Sequence, residues 1–354
     1  MVTYIIRRLL LVPVLLFGVT LLIFSMLQFL SPVERSALYV RDIPKTARQI
    51  DGIILRYGLD KPLYVQYWRW LVGTTNSVTG ERNGGIFFGD FGWSRTGSQP
   101  VASLIQSRFP NTLDLTLWAV GPVILVGIWL GVQAAVHHNG FIDQAGRMFS
   151  IIGTSFPTFV FGLLMLMIFY ANLEWFPPGR LSTSMQAVVT SANFNSYTSL
   201  LTIDSLLNGR FDVFIDALKH MILPILTLSY LSWATFLRVT RSSMLETLRQ
   251  EYVTTARAKG LPERDVIFKH ARPNAMISVV TLAGFTVVGL MGGVVITETV
   301  FDYPGIGKAA AEAAGQLDVI TVLGFALFNG FILIVANLVV DILYAVVDPR
   351  VRLS

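Results

Sequence analysis

Residues 319–344 read VITVLGFALFNGFILIVANLVVDILY, a run whose one charged side chain is Asp341. Crossing a hydrocarbon core takes roughly 20 apolar residues as a helix. Backbone groups in lipid must find their partners within their own segment, which leaves a helix as the form of such a run. Working outward, five more stretches meet the same test: 9–30, 113–136, 149–173, 221–239 and 275–296. The expected fold is therefore all-α and polytopic, with six transmembrane helices. The first stretch follows Arg7 and Arg8, as in a secretory signal. Its apolar core is too long for one and no small-residue cleavage site follows closely, so it reads as a retained anchor.

Composition agrees and excludes several classes. The 354 residues are 53% hydrophobic and 14% charged, with a mean hydropathy of +0.60. Soluble domains carry about 25% charged residues, so much of this surface faces lipid. The net charge of +5 lies in short segments between apolar runs and forms no basic-aromatic patch, which argues against nucleic acid. There is no cysteine, hence no disulfide, thiolate metal site or cysteine nucleophile. His137, His138, His220 and His270 include no pair at metal-binding helical spacing. The adjacent His137 and His138 diverge by about 100° on a helix. No Ser/His/Asp set or carboxylate pair converges on one side of the membrane. The expectation is a chain with no catalytic residues, no metal and no cofactor of its own.

Short-loop Lys and Arg set the orientation. Arg7, Arg8, Arg147, the run 238–272, Arg350 and Arg352 give one side a basic excess, whereas the loops 174–220 and 297–318 and the long segment 31–110 are nearly balanced. The first side reads as cytoplasmic, with both termini there. In the outer segment, Tyr64, Tyr67, Trp68 and Leu71 fall at i, i+3, i+4 and i+7. That stripe fits an amphipathic helix on the membrane surface and equally a packed cap over the bundle. The stretch 80–85 reads as a turn or flexible tip.

The connection between the fourth and fifth stretches, 238–275, exceeds roughly 30 residues where about 2–8 is usual. Ser243-Met-Leu-Glu246 has the spacing of a capping box, so a helix can begin there. It would run through Ala256-Arg-Ala-Lys259, with cations in its last turn. Gly260 suits the left-handed position past a helix end, and Pro262 with Glu263 and Asp265 suits the first turn of a second helix. Ala256, Ala258 and Gly260 let another surface approach, and Arg257 and Lys259 can reach carboxylates. A docking helix and a solvated basic loop both fit this reading.

Glu251-Tyr-Val-Thr-Thr-Ala-Arg-Ala-Lys-Gly260, then Leu261 and His270-Ala-Arg-Pro-Asn-Ala275, resembles the "EAA" loop of ABC-importer permeases, in the form found in the dipeptide/oligopeptide/nickel family. Further similar pieces run along nearly the whole chain: the start 4–9, Gly89–Ser94, Asn111–Leu115, Pro178–Leu181, His220–Pro224, Glu298–Gly307 and the ending 341–350. Pro273 departs from the pattern, and is expected to end the second helix early and move the start of the fifth span. The resemblance implies the type I ABC-importer transmembrane fold. It divides the chain into an N-terminal transmembrane helix (1–30), an extracytoplasmic segment (31–95), a five-helix permease core (96–345, coupling loop 241–273) and a cytoplasmic tail (346–354). It assigns coupling to an ATPase to Glu251, Tyr252, Thr255, Ala256, Arg257, Ala258, Gly260 and Leu261. It implies a similar second permease subunit, two ATP-binding cassette ATPase subunits that bind ATP and Mg, an extracytoplasmic solute-binding protein, and a prokaryotic inner membrane as the location. The cargo class would be short peptides, with nickel or oligosaccharides as exceptions. A stand-alone secondary transporter or channel would require inverted repeats and paired intramembrane charges, and neither is evident.

Weaker signals complete the reading. Gly305-Ile-Gly307-Lys308-Ala-Ala310 imitates phosphate motifs, but Lys308 is followed by Ala and no βαβ unit surrounds it. It reads as a turn into a short helix 308–314. Glu298, Phe301, Tyr303 and Pro304 are candidates for an outer gate or binding-protein contact. Ser155, Thr158, Thr227, Ser229, Thr281, Thr286 and Asn329 are candidates to line a pathway, residue types that serve more often as helix-packing contacts than as ligands. Asp114, Glu298 and Asp341, at or near span ends, serve either a proton relay, Asp341 being the deepest, or structural partners.

Overall fold

The computed structural model describes residues 2–31, 34, 35, 38, 46–75, 82–292 and 294–347. Among them the strands are two short antiparallel ribbons, Thr74–Thr75 with Arg82–Asn83 and Trp93–Ser94 with Gln99–Pro100. The other regular elements are helical. Residues 348–350 of the ending 341–350, most of the tail 346–354 and part of the 80–85 turn lie outside the described residues. Packing divides the chain into two compact units, Val2–Pro110 with Gly305–Val335, and Asn111–Pro304 with Ala336–Ser354.

The first unit contains α1 (Val2–Leu27), α2 (Ala47–Tyr57), α3 (Leu63–Val72), the start of α4 (Val101–Val136), α13 (Ile306–Gly315) and most of α14 (Val319–Val347). The helix α2 opens with a capping box, Thr46 and Gln49 bonding reciprocally, and closes on Gly58 at φ 67°. Ile23, Phe24 and Leu27 of α1 pack with Trp70 and Leu71 of α3 and with Ile320, Leu323 and Leu327 of α14. The Tyr67 and Thr20 hydroxyls are hydrogen-bonded at 2.8 Å. Thus α3 buries Gln66, Trp70 and Leu71 and leaves Tyr64 and Trp68 exposed, a stripe rotated from the expected one. The rotation follows from α1, which takes the aromatic edge led by Tyr67 and Trp70. Asp318 caps α14. Its carboxylate accepts from Thr321 Oγ1 at 2.7 Å and from the Arg95 and Thr96 amides at 2.8 and 3.0 Å. Burial pushes this group up, but those bonds outweigh it and hold it below its ordinary value.

The second unit is built around α9 (Phe211–Leu248), which packs on α5 (Phe141–Ser155), α6 (Thr158–Asn172), α8 (Leu201–Leu207) and α11 (Glu263–Met291). A small-residue pair on α4 lets it approach α9 closely. A Cβ on Gly127 would fall 2.5 Å from Cβ of Phe236, and one on Gly131 would fall 2.4 Å from Cβ of Thr240. The unit also holds α7 (Thr183–Val189), α10 (Glu251–Ala258) and α12 (Val295–Val300).

Among the described residues four helices are long and apolar enough to cross a membrane, over Ile6–Leu27, Val101–Val136, Glu263–Met291 and Val319–Ile342; the pair α5 and α6 makes a fifth if it is one bent span. The remaining expected stretch, 221–239, lies inside α9, whose 38 residues extend roughly 57 Å.

Four expectations are corrected. The stretch 149–173 is not one straight helix, because α5 and α6 meet at 102°. Pro157 lacks an amide proton and forces Phe156 to an extended conformation (φ −90°, ψ 124°). No helix begins at Ser243. Nothing between 238 and 248 breaks the helix, so α9 continues past it with Met244 buried, since extending a helix is cheaper than starting one. Pro273 does not end the second helix. Its missing donor is absorbed by a π-helical stretch, Val266–Ala271, directly upstream, and Pro273 occupies the first turn of the segment that follows. The fifth stretch ends at Met291 rather than 296, where Gly292 closes the helix.

Candidate coupling site

After α9 ends, Gln250 is extended (φ −70°, ψ 149°) and α10 begins at Glu251. The helix is too short to stand by itself, so its packing defines it. Val253 and Ala256, at i and i+3, join Val132 and Ala135 of α4, Met244 of α9, and Val266, Ile267, Ala271 and Ala275 of α11 in one buried cluster. Ala256, expected among the docking residues, is therefore an anchor, with 6% of its surface exposed. Its methyl group faces inward, beside Val253, onto the apolar side chains that α4, α9 and α11 bring there.

The helix ends in a Schellman motif. The Leu261 amide donates to the Ala256 carbonyl at 3.4 Å and the Gly260 amide to the Arg257 carbonyl at 2.9 Å. Gly260 sits at φ 75° with nothing within 4 Å of where a Cβ would stand. The turn thus demands glycine for its backbone, and the space beside it is open. Arg257 Nη2 and Nε donate to Glu263 Oε1 and Oε2 at 2.8 and 3.2 Å, which ties the two helices across the turn. Arg257 stays exposed, with its fork on the carboxylate that opens α11. Hydrogen bonding to Glu263 raises the Arg257 pKa, so the guanidinium stays charged. Glu251, Tyr252, Thr255, Ala258, Lys259, Gly260 and Leu261 are exposed. The result is a helix fixed on one side by two small apolar anchors and bare on the other.

A buried charge cluster nearby in the chain was not singled out from sequence. The Asp143 carboxylate is fully buried. It accepts from Arg241 Nε and Nη2, from Arg147 Nη2 at 3.0 Å and from the Asn139 amide at 2.9 Å, with His138 Nδ1 3.4 Å away. The available signal was the i, i+4 pair Asp143 and Arg147 in a chain so poor in charge that a carboxylate beside a span needs a cation.

The other candidates separate. Glu298, Phe301 and Tyr303 are fully or almost fully buried. Thr112 Oγ1 donates to Glu298 at 2.7 Å, Asn111 Nδ2 donates to the Pro304 carbonyl at 2.7 Å, and the Gly179 amide donates to the Phe301 carbonyl at 2.8 Å. These residues tie segments together: Glu298, Phe301 and Tyr303 are buried, Pro304 is half-buried, and the neighbours Asp302 and Thr299 are exposed. Burial pushes the Tyr303 phenol well above its usual range. Asp114 is also buried and accepts from the amide and hydroxyl of Thr202, capping α8, so both carboxylates have the structural partners that one of the two readings required. Of the pathway candidates, Thr227 and Ser229 are buried on α9 with no hydrogen-bond partner for their hydroxyls among the described residues. Ser155 and Thr158 flank the α5–α6 bend, with Ser155 bonded to Ile151. Thr281 and Thr286 bond back to their own helix. Asn329 belongs to the other unit. A Cβ on Gly162 would meet both Phe301 and Thr227 at 3.3 and 3.4 Å. Helix α13 covers the expected 308–314.

Apolar spans together with an anchored, outward-facing helix define a multi-pass membrane protein. Two family profiles match nearly the full chain: "Binding-protein-dependent transport system inner membrane component" over residues 123–353 and the N-terminal part of such components over residues 1–116. Relatives agree end to end. The oligopeptide transport system permease protein AppB of Bacillus subtilis is 36% identical, covering 99% of this chain and 100% of its own. The di/tripeptide transport system permease protein DppB of Pseudomonas aeruginosa is 38% identical, with 99% of each chain covered. The dipeptide transport system permease protein DppB of Escherichia coli K12 is 35% identical, with 99% of each covered. The chain belongs to this family of inner-membrane permease subunits of ABC importers and has its type I membrane fold.

Proposed function

We propose that this subunit passes short peptides across the inner membrane, receiving them from an extracytoplasmic binding protein and moving them when separate ATPase subunits close on α10. The cargo reading is supported by the relatives, whose names specify oligopeptides, di/tripeptides and dipeptides. The coupling reading is carried by one observation: Val253 and Ala256 hold α10 rigidly on α4, α9 and α11, while Glu251, Tyr252, Thr255, Ala258, Gly260 and Leu261 stay bare. A partner gripping that bare face would tilt the helices beneath it, which is alternating access by rocking. ATP and Mg are then held by two ATPase subunits, a similar permease completes the membrane pair, and this chain performs no hydrolysis. We further assign six spans, with α9 as the fourth, both termini on the cytoplasmic side, and the functional division 1–30, 31–95, 96–345 and 346–354.

The test is co-purification and uptake with Ala258→Glu and Gly260→Asp. Both should insert normally, lose the ATPase subunits and abolish peptide uptake. Wild-type uptake in both variants removes the docking assignment. Solute movement in vesicles lacking any ATPase would favour the stand-alone transporter instead.

A further inference from the structure

We infer that Asp143 and Arg241 form a positioning clamp that makes α5 move with α9, so that displacement of α10 reaches the α5–α6 bend. The inference rests on the coupling role proposed for α10.

The clamp lies at the head of a long contact. Arg241 precedes the end of α9 by two turns, and α10 follows after a single extended residue. From Asp143 onward, α5 stays on α9. A Cβ on Gly146 would stand 3.4 Å from Leu237, Ser150 Oγ donates to the Ala234 carbonyl at 3.2 Å, and a Cβ on Gly153 would fall 2.8 Å from Ala234. At the far end, Tyr230 Oη donates to the Ile152 carbonyl at 3.0 Å. Two residues beyond Gly153 the helix reaches Ser155 and then the extended Phe156. Small residues give close approach but little resistance to sliding. A two-pronged, charge-assisted bond to a buried carboxylate supplies that resistance, because its geometry is fixed in direction as well as distance. Arg147 and the Asn139 amide also donate to the Oδ2 that Arg241 Nη2 engages, so turning the carboxylate to follow a slipping Arg241 would break those bonds.

The experiment uses the assembled complex, permease pair with ATPase and binding protein, reconstituted in vesicles, with trialanine as probe. Trialanine transported and ATP hydrolysed are measured together. Asp143→Asn and Arg241→Lys should retain the ATPase subunits and most ATP hydrolysis, while trialanine moved per ATP falls at least tenfold. The exchange Asp143→Arg with Arg241→Asp should recover part of that ratio. An unchanged transport-to-ATP ratio in both single variants overturns the clamp. Proportional loss of complex, hydrolysis and transport in both also overturns it, since that marks a purely structural bond. If the wild-type complex moves trialanine without its ATPase, the coupling role of α10 fails instead, and the clamp inference falls with it.

Discussion

Two segments of the same unit carry family-like motifs and lie in opposite environments. Residues 251–261 show one side to the surroundings and keep two apolar anchors inside. Residues 298–304 turn Glu298, Phe301 and Tyr303 inward and bond the surrounding chain through Asn111, Thr112 and Gly179. In both, the motif residues are held in place. The first segment bares most of its motif side chains, whereas the second keeps Glu298, Phe301 and Tyr303 inside and exposes neighbours such as Thr299 and Asp302. A motif thus identifies a segment that matters, and burial decides whether it acts by contact or by support.

Substitutions can break this contrast, and their expected effects fall in order. Val253→Asp places an unpaired charge in the anchor cluster and should destabilise the unit by roughly 3–5 kcal/mol, read as loss of inserted protein and a lowered thermal midpoint. Glu298→Ala removes the carboxylate that accepts from the Thr112 hydroxyl and should cost about 1.5–3 kcal/mol, with ATPase co-purification unchanged. Gly260→Ala keeps the open space but forces a side chain into the left-handed region, and should cost about 1–2 kcal/mol, seen as a lowered midpoint with intact insertion. Tyr252→Ala should change stability by no more than about 0.5 kcal/mol, yet reduce uptake at least tenfold. If Glu298→Ala released the ATPase, or Tyr252→Ala left uptake untouched, the contrast between the two segments would be wrong. A comparably small stability effect belongs to Arg257→Gln. Its pair with Glu263 is largely exposed, so about 0–1 kcal/mol is expected.

Much of this was legible in the residues. Apolar runs fixed the helices of the first, second and sixth stretches, and Gly260 announced its own conformation because few other residues tolerate that φ. What failed were local signals overruled by context. Ser243 to Glu246 has capping-box spacing, but the helix around it had no reason to stop. Pro273 looked like a terminator, but a π-helical stretch upstream removed the clash. Pro157 had the opposite effect, splitting what hydropathy read as one span, since hydropathy does not register a missing amide proton. The inward turn of Ala256 and the pairing of Arg257 depend on what α4, α9 and α11 bring beside them, and no spacing within 251–263 encodes that. The Asp143 cluster joins residues about a hundred positions apart, beyond the reach of periodicity.

Because the chain has no cysteine, an introduced thiol would be unique. The most direct measurement is therefore thiol cross-linking in the assembled complex with Ala258→Cys, on the bare face of α10, and Asp302→Cys, the exposed neighbour of the buried hairpin. The account predicts that Ala258→Cys links to an ATPase subunit and reacts with inner-side reagents, while Asp302→Cys does neither. A link from Asp302→Cys to the ATPase, or reaction of Ala258→Cys from the outer side only, would contradict it.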